Sequence, residues 1–257
     1  LTAPAPNQRV TLALVVLVAL LIGANFTALK FALDHTTPLL LAGLRTVVGG
    51  TFLLCFVTLV RKERIPTDRS ILGRIFVVSF AITTVSSGLL VIGVSRVPAG
   101  LASLLSSTMP LFTTLLVLLL MGIRPTRLGA LGLVVGFFGT VVLAWPSLDG
   151  EATTIGIIAL AVSALAWAFG TVFMQWRDFS AVSPVMIVAV QLPMSAAVLI
   201  PVALLTEGTA DTDWSLGLFV PLAYAAIPAN AVTFALMATI VKRAAATQAA
   251  ATAYLIP

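Results

Sequence analysis

The side chains in this sequence able to do chemistry are few, and the most informative stand where a polar group is expensive. Arg45 lies in PLLLAGLRTVVGG, about six residues into an apolar run and so roughly 9 Å along a helix. A guanidinium at that depth has two readings. It faces a cavity and grips a carboxylate or phosphate through two parallel hydrogen bonds, or it is a structural cation that snorkels or bonds backbone carbonyls. The amides of Asn25, Gln191 and Asn230 also interrupt apolar runs. In lipid each needs a partner, and a neighbouring helix or a polar solute serves equally. Trp167 sits inside another apolar run, as a packing residue or a cavity wall. Asn25, Arg45, Trp167, Gln191 and Asn230 are the candidate solute-binding set.

Other polar residues have blander readings. Lys30 is near the end of its run, where snorkelling is easy. Arg96 and Arg243 flank tight turns and read as membrane-edge anchors, as Trp145 and Trp214 do at run ends. His35 falls in a loop. Ser103, Ser106, Ser107 and Thr108 precede Pro110, where the missing N–H frees a carbonyl for a ligand or simply marks a kink supported by serines. Gly132, Gly136 and Gly139 have the spacing of a close helix contact.

Whole classes of chemistry are disfavoured. His35 is the one histidine and Cys55 the one cysteine, so a multi-imidazole metal or haem site and a disulfide framework are excluded. No metal or cofactor is expected. A membrane-embedded enzyme acting on lipid would cluster Asp, His, Ser or Cys near one face, and this chain does not. No GxxxxGK[ST] phosphate loop is present for primary pumping. All nine acidic residues map to loops or run ends, which counts against proton coupling through a buried carboxylate.

The elements that must carry these residues are membrane spans. Of 257 residues, 60% are hydrophobic and only 9% charged, against about 25% charged in a soluble domain. The apolar residues come in continuous blocks of about 20, each long enough to cross a bilayer as a helix and without the alternation of a β-barrel strand. Spans are expected at 10–33, 39–60, 71–94, 99–121, 128–146, 155–176, 185–205, 216–241 and 245–257. The first is read as uncleaved, since the run continues past Gly23 and Ala24 without a cleavage signature. The fold class is therefore all-α, a polytopic membrane helix bundle.

The net charge of +5 does not point to nucleic acid, because the basic residues sit in short loops. With the N-terminus in the cytoplasm, eleven of the fourteen Lys and Arg residues fall inside: Arg9, Arg61, Lys62, Arg64, Arg69, Arg74, Arg124, Arg127, Arg177, Lys242 and Arg243. Only Lys30 and Arg96 fall outside, and Arg45 lies within a span. That bias predicts a multi-pass protein of the cytoplasmic membrane with its N-terminus inside.

A weak internal repeat appears at a shift of 146 or 147 residues. Pro38 falls on Pro184, and Gln191 falls near Arg45. Val94, Arg96, Ala99, Ala102 and Pro110 fall on Val241, Arg243, Ala246, Ala249 and Pro257. Five spans precede the second copy, so the copies insert in opposite orientations, as in many transporters. The expected units are 1–146, with the first five spans, and 147–257, with the sixth to ninth. By the same repeat, the second copy is expected to run on by about 35–45 residues, completing the ninth span and adding a tenth.

Several stretches resemble the EamA-like transporters of the drug/metabolite transporter superfamily. LLIGANFTALKFAL, Leu20 to Leu33, resembles the first span of that family, with Gly23, Asn25, Phe26 and Lys30 matching and Ile22 where tryptophan is usual. AWAFGTVFMQ, Ala166 to Gln175, resembles its counterpart in the second copy and keeps the tryptophan as Trp167. Pro38 to Gly50 resembles the second span with its embedded arginine, and Ser95 to Leu116 the fourth, with Pro98, Ala99 and Pro110. The resemblance covers essentially the whole chain and implies ten helices in two inverted five-helix repeats. It further implies secondary transport, as export or exchange, of small organic metabolites. The remaining alternatives are a helical membrane protein without transport and the lipid-modifying enzyme.

Overall fold

The computed structural model describes residues 8–144, 153–233 and 236. Among them the chain is helical throughout, with no strand. The rods are α1 (Gln8–Leu33), α2 (Pro38–Val60), α3 (Arg69–Arg96), α4 (Ala99–Met121), α5 (Arg127–Ala144), α6 (Thr154–Trp176), α7 (Pro184–Thr206) and α8 (Leu216–Val232). Six of them are long and apolar enough to cross a membrane, and α5 and α8 are shorter apolar helices. The all-α polytopic bundle expected from the apolar blocks is the one observed. Trp145, Arg243, the end of the eighth expected span and the whole of the ninth lie outside the described residues.

Local chemistry sets the helix ends. Thr37 and Ser183 stand extended just before Pro38 and Pro184. Proline suits a first helical position, where its missing N–H has no partner to lose. Asp68 accepts from the amides of Ser70 and Ile71, and Thr153 from that of Gly156, so α3 and α6 begin on side-chain caps. Gly122 ends α4 with φ of 69°, a left-handed conformation that a side chain would resist. Midway, α4 is interrupted at Ser107 and Thr108, just ahead of Pro110.

Among the described residues three stretches widen into π-helical turns: Phe56–Val60 at the end of α2, Ser79–Ser86 inside α3 and Ile227–Val232 at the end of α8. Pro228 accounts for the last, since it cannot donate into the helix ladder. In α3 the widened turn coincides with side chains that bond other helices, described below.

The broadest packing joins α2 to α7. Small residues allow it. A Cβ at Gly43 would stand 2.6 Å from Ile200 Cδ1, and one at Gly50 2.9 Å from Pro193 Cδ. One at Gly49 would stand 2.8 Å from the carbonyl oxygen of Ala226 on α8. Around this pair, α3 packs on α6 and α1 on α8. Leu29, Leu41, Val94, Leu160 and Leu218 bring five helices into one buried cluster. Outer faces are apolar and open, with Leu119, Leu128 and Leu205 among the most exposed, as lipid-facing surfaces must be.

The small-residue face of α5 is not covered by the described helices. A Cβ at Gly132, Gly136 or Gly139 meets no heavy atom of the described residues within 4 Å. Helix α5 makes its substantial contacts with α4 alone, so this small-residue face does not seat a described helix.

Candidate functional site

A cavity of about 190 Å³ lies at the centre of the bundle, walled by every described helix except α5. Asn25 reaches it from α1, Arg45 from α2, Trp167 from α6, Gln191 from α7 and Asn230 from α8. The five candidates, scattered over 206 residues of sequence from Asn25 to Asn230, thus share one chamber. Ile22, Phe26, Leu90, Met109 and Pro110 supply apolar wall.

Arg45 is the chamber's cation. It is 6% exposed, and no acidic side chain lines the cavity among the described residues. One terminal nitrogen donates to Ser87 Oγ on α3. Its Nε has no hydrogen-bond partner among the described residues. Removing a guanidinium from water costs several kcal/mol unless an opposite charge or a full set of acceptors replaces the hydration shell. One serine hydroxyl is an incomplete replacement.

Further polar atoms around the chamber are also unmatched. The side-chain oxygens of Asn25, Thr83 and Gln191 are buried with no partner among the described residues. Unsatisfied buried groups are uncommon, and each needs a reason. Here they line one small space together with an incompletely bonded cation.

The hydroxyls nearby hold the walls in place. Ser86 and Ser163 join α3 to α6 at 3.0 Å, and Ser163 Oγ also donates to the Ser86 carbonyl at 2.7 Å. Thr84 donates to Ser195 at 3.1 Å, and Ser79 to the backbone carbonyl of Gln191 at 2.6 Å, joining α3 to α7. All these α3 residues lie in its π-helical stretch. Thr83, Ser86, Ser87 and Ser163 were not singled out in the sequence. For Thr83, Ser86 and Ser87 the one trace in the sequence is the hydroxyl density of SFAITTVSSG, Ser79 to Gly88; Ser163 has none.

The remaining polar residues serve the frame. Lys30 Nζ donates to the carbonyls of Val94 and Val97 at 2.8 and 3.1 Å, tying α1 to the end of α3 instead of snorkelling freely. Ser103 and Thr108 donate to carbonyls three residues earlier, Ser106 and Ser107 to carbonyls four earlier. Their hydroxyls support the break in α4, and Ser106 and Ser107 also line the chamber. His35 meets Asp213 at 3.1 Å across two loops. Hydrogen bonds from Ser215 and then from His35 hold the Asp213 carboxyl below its ordinary range.

A bundle of membrane-length helices around a largely apolar chamber that holds a buried arginine and amides defines a multi-pass membrane protein of the solute-handling kind. Comparison with known proteins names the family: the EamA-like transporter family matches residues 9–145 and 154–257, and the chain belongs to it. It is 30% identical over 253 residues to the uncharacterized transporter YvbV of Bacillus subtilis (strain 168), covering 98% of this chain and 81% of that relative. It is 31% identical over 161 residues to a probable amino-acid metabolite efflux pump of Escherichia coli (strain K12), covering 62% of this chain and 52% of the relative. A solved protein structure of 19% identity superposes with a TM-score of 0.66 over 96% of this chain and 94% of its own. The protein is a membrane transporter.

Proposed function

We propose that this protein is a secondary transporter, an exporter or exchanger, that carries small organic metabolites such as amino acids or related solutes across the cytoplasmic membrane by alternating access. The observation that carries the reading is the buried, incompletely bonded Arg45 in a chamber without acids among the described residues. Its planar fork suits a carboxylate. The amide oxygens of Asn25 and Gln191 are acceptors only, so they suit a donor such as an ammonium. Trp167 and Asn230 complete the walls. An anionic or zwitterionic solute answers all of these demands at once. The similarity to the Escherichia coli relative, a probable amino-acid metabolite efflux pump, is in keeping with it. The chamber's polar groups are a cation, amides and hydroxyls, and the reading is facilitated diffusion or exchange.

Alternating access rests on an inverted repeat. Under the 146-residue shift, α1 falls on α6, α2 on α7 and α3 on α8. The packing respects that exchange: α1 on α8 becomes α6 on α3, and α2 on α7 maps onto itself. This supports units of 1–146 and 147–257 related by a two-fold axis in the membrane plane. The basic loops support an N-terminus in the cytoplasm.

The test is transport in proteoliposomes. Arg45→Gln loses uptake while folding normally, and Arg45→Lys keeps part of it, because charge survives and the two-pronged geometry does not. Wild-type uptake by Arg45→Gln would make Arg45 an anchor and remove the anion argument.

A further inference from the structure

The central pair α2 and α7 is fastened at both ends, each time by a glutamate that follows one helix and binds the start of the other. Glu207, just past α7, accepts from the Leu39 and Leu40 amides in the first turn of α2, at 2.9 and 3.2 Å. Thr37, the residue placed to cap α2 locally, does not do so, and its hydroxyl has no partner among the described residues. Glu63, just past α2, accepts from Ser183 Oγ at 2.5 Å. Ser183 in turn accepts from the Met186 amide at 3.1 Å in the first turn of α7. A carboxylate at a helix N-terminus is favourable because the first amides lack partners and the helix dipole is positive there. The two fastenings lie at opposite ends of an antiparallel pair. Between them, Gly43 and Gly50 let the helices approach too closely to slide past one another.

Of the three π-helical turns, that of α2 lies at its very end, Phe56–Val60, just before Glu63, and the other two lie outside the pair. The π-helical turns of α3, at Ser79–Ser86, and of α8, at Ile227–Val232, both border the chamber, through Thr83 and Asn230 among others. Their last residues, Ser86 and Val232, are 146 residues apart, the repeat shift itself. Turns of this kind mark places where a helix ladder is already loosened.

Resting on the alternating-access reading, we propose that α2 and α7 form a fixed axle, fastened at one end by Glu207 and at the other by Glu63, and that α3 and α8 bend at their π-helical turns beside it. In a transporter one side must open in each half-cycle. Contacts within the axle stay closed throughout, and contacts between α3 and the axle are remade.

Cross-linking tests this in the full chain with Cys55→Ala, in proteoliposomes loaded with a radiolabelled amino-acid mixture. One cysteine pair is Leu39→Cys with Glu207→Cys, a second Glu63→Cys with Ser183→Cys, and a third Thr84→Cys with Ser195→Cys, which bridges α3 to α7. Each is joined by a short cleavable thiol reagent and then released by reductant. The first two pairs transport equally when joined and when released, and the third stops when joined and recovers on release. Reversible arrest by either of the first two overturns the axle, as does undiminished transport by the joined third pair. Absence of transport in the unsubstituted protein overturns the transport reading, and the axle with it.

Discussion

Ser87 is the hydroxyl through which Arg45 is aimed, and its removal has a calculable consequence. Arg45 donates to Ser87 Oγ inside the bundle, and its Nε has no partner among the described residues. A neutral interhelical hydrogen bond in a membrane contributes only about 0.6 kcal/mol, whereas one to a charged group contributes about 1.5–3 kcal/mol. The charged case applies, and its lower end of about 1.5 kcal/mol is roughly a tenfold change in an equilibrium constant. Valine and threonine have nearly the same shape, so comparing Ser87→Val with Ser87→Thr isolates the hydroxyl. Ser87→Val requires about tenfold more solute for half-maximal exchange than Ser87→Thr, at a similar maximal rate, because a misdirected guanidinium weakens binding. In an Arg45→Gln background the difference between the two disappears, since Ser87 acts through Arg45. Equal half-maximal concentrations for Val and Thr, or a difference that persists without Arg45, would refute the positioning role.

Two more predictions concern the frame. Single cysteines at Arg64 and Asp211, in a Cys55→Ala background, are probed with an impermeant thiol reagent on intact cells; position 211 labels and position 64 does not, and the reverse result inverts the proposed orientation. Gly49→Ala lowers the melting temperature in detergent more than Gly43→Ala does. The added methyl meets the Ala226 backbone oxygen at 2.8 Å in the first case and the movable tip of Ile200 at 2.6 Å in the second, and unrelieved overpacking costs about 1–3 kcal/mol. Equal melting temperatures would mean that α8 yields as easily as a side chain.

What was legible in the sequence follows from what hydrocarbon penalises. An arginine or an amide inside an apolar run cannot be satisfied by its own helix, so Arg45, Asn25, Gln191 and Asn230 stood out before any coordinates, and all four border the chamber. Serine and threonine carry no such signal, because each can donate to a carbonyl one turn back. Thr113, Thr114 and Thr171 do this, each to the carbonyl four residues earlier. Thr83, Ser86, Ser87 and Ser163 are chemically the same residues, yet they face the chamber. Which use a hydroxyl takes depends on how its helix is rotated, and that is settled by packing with partners far along the chain. Gly132, Gly136 and Gly139 show the same limit from the apolar side, since their spacing marks a small face without saying which helix covers it.

The π-helical turns were illegible for a different reason. The residues that flank the α3 segment, Val78 and Ser87, have ordinary helical angles, −63° and −46° for one and −68° and −38° for the other. A shift of hydrogen-bond partner by one position needs no unusual residue, and only Pro228 in α8 announces it. In α3 the cause is tertiary. Ser79 reaches the Gln191 carbonyl, Thr84 reaches Ser195 and Ser86 reaches Ser163. Three hydroxyls within eight residues of one helix therefore bond two other helices, and straight α-helical periodicity does not direct all of them outward to both neighbours at once. The widened turn absorbs the mismatch. The same bonds seat Thr83 and Ser87 against the chamber beside Arg45, so the loosening of α3 and the building of the site are one structural event.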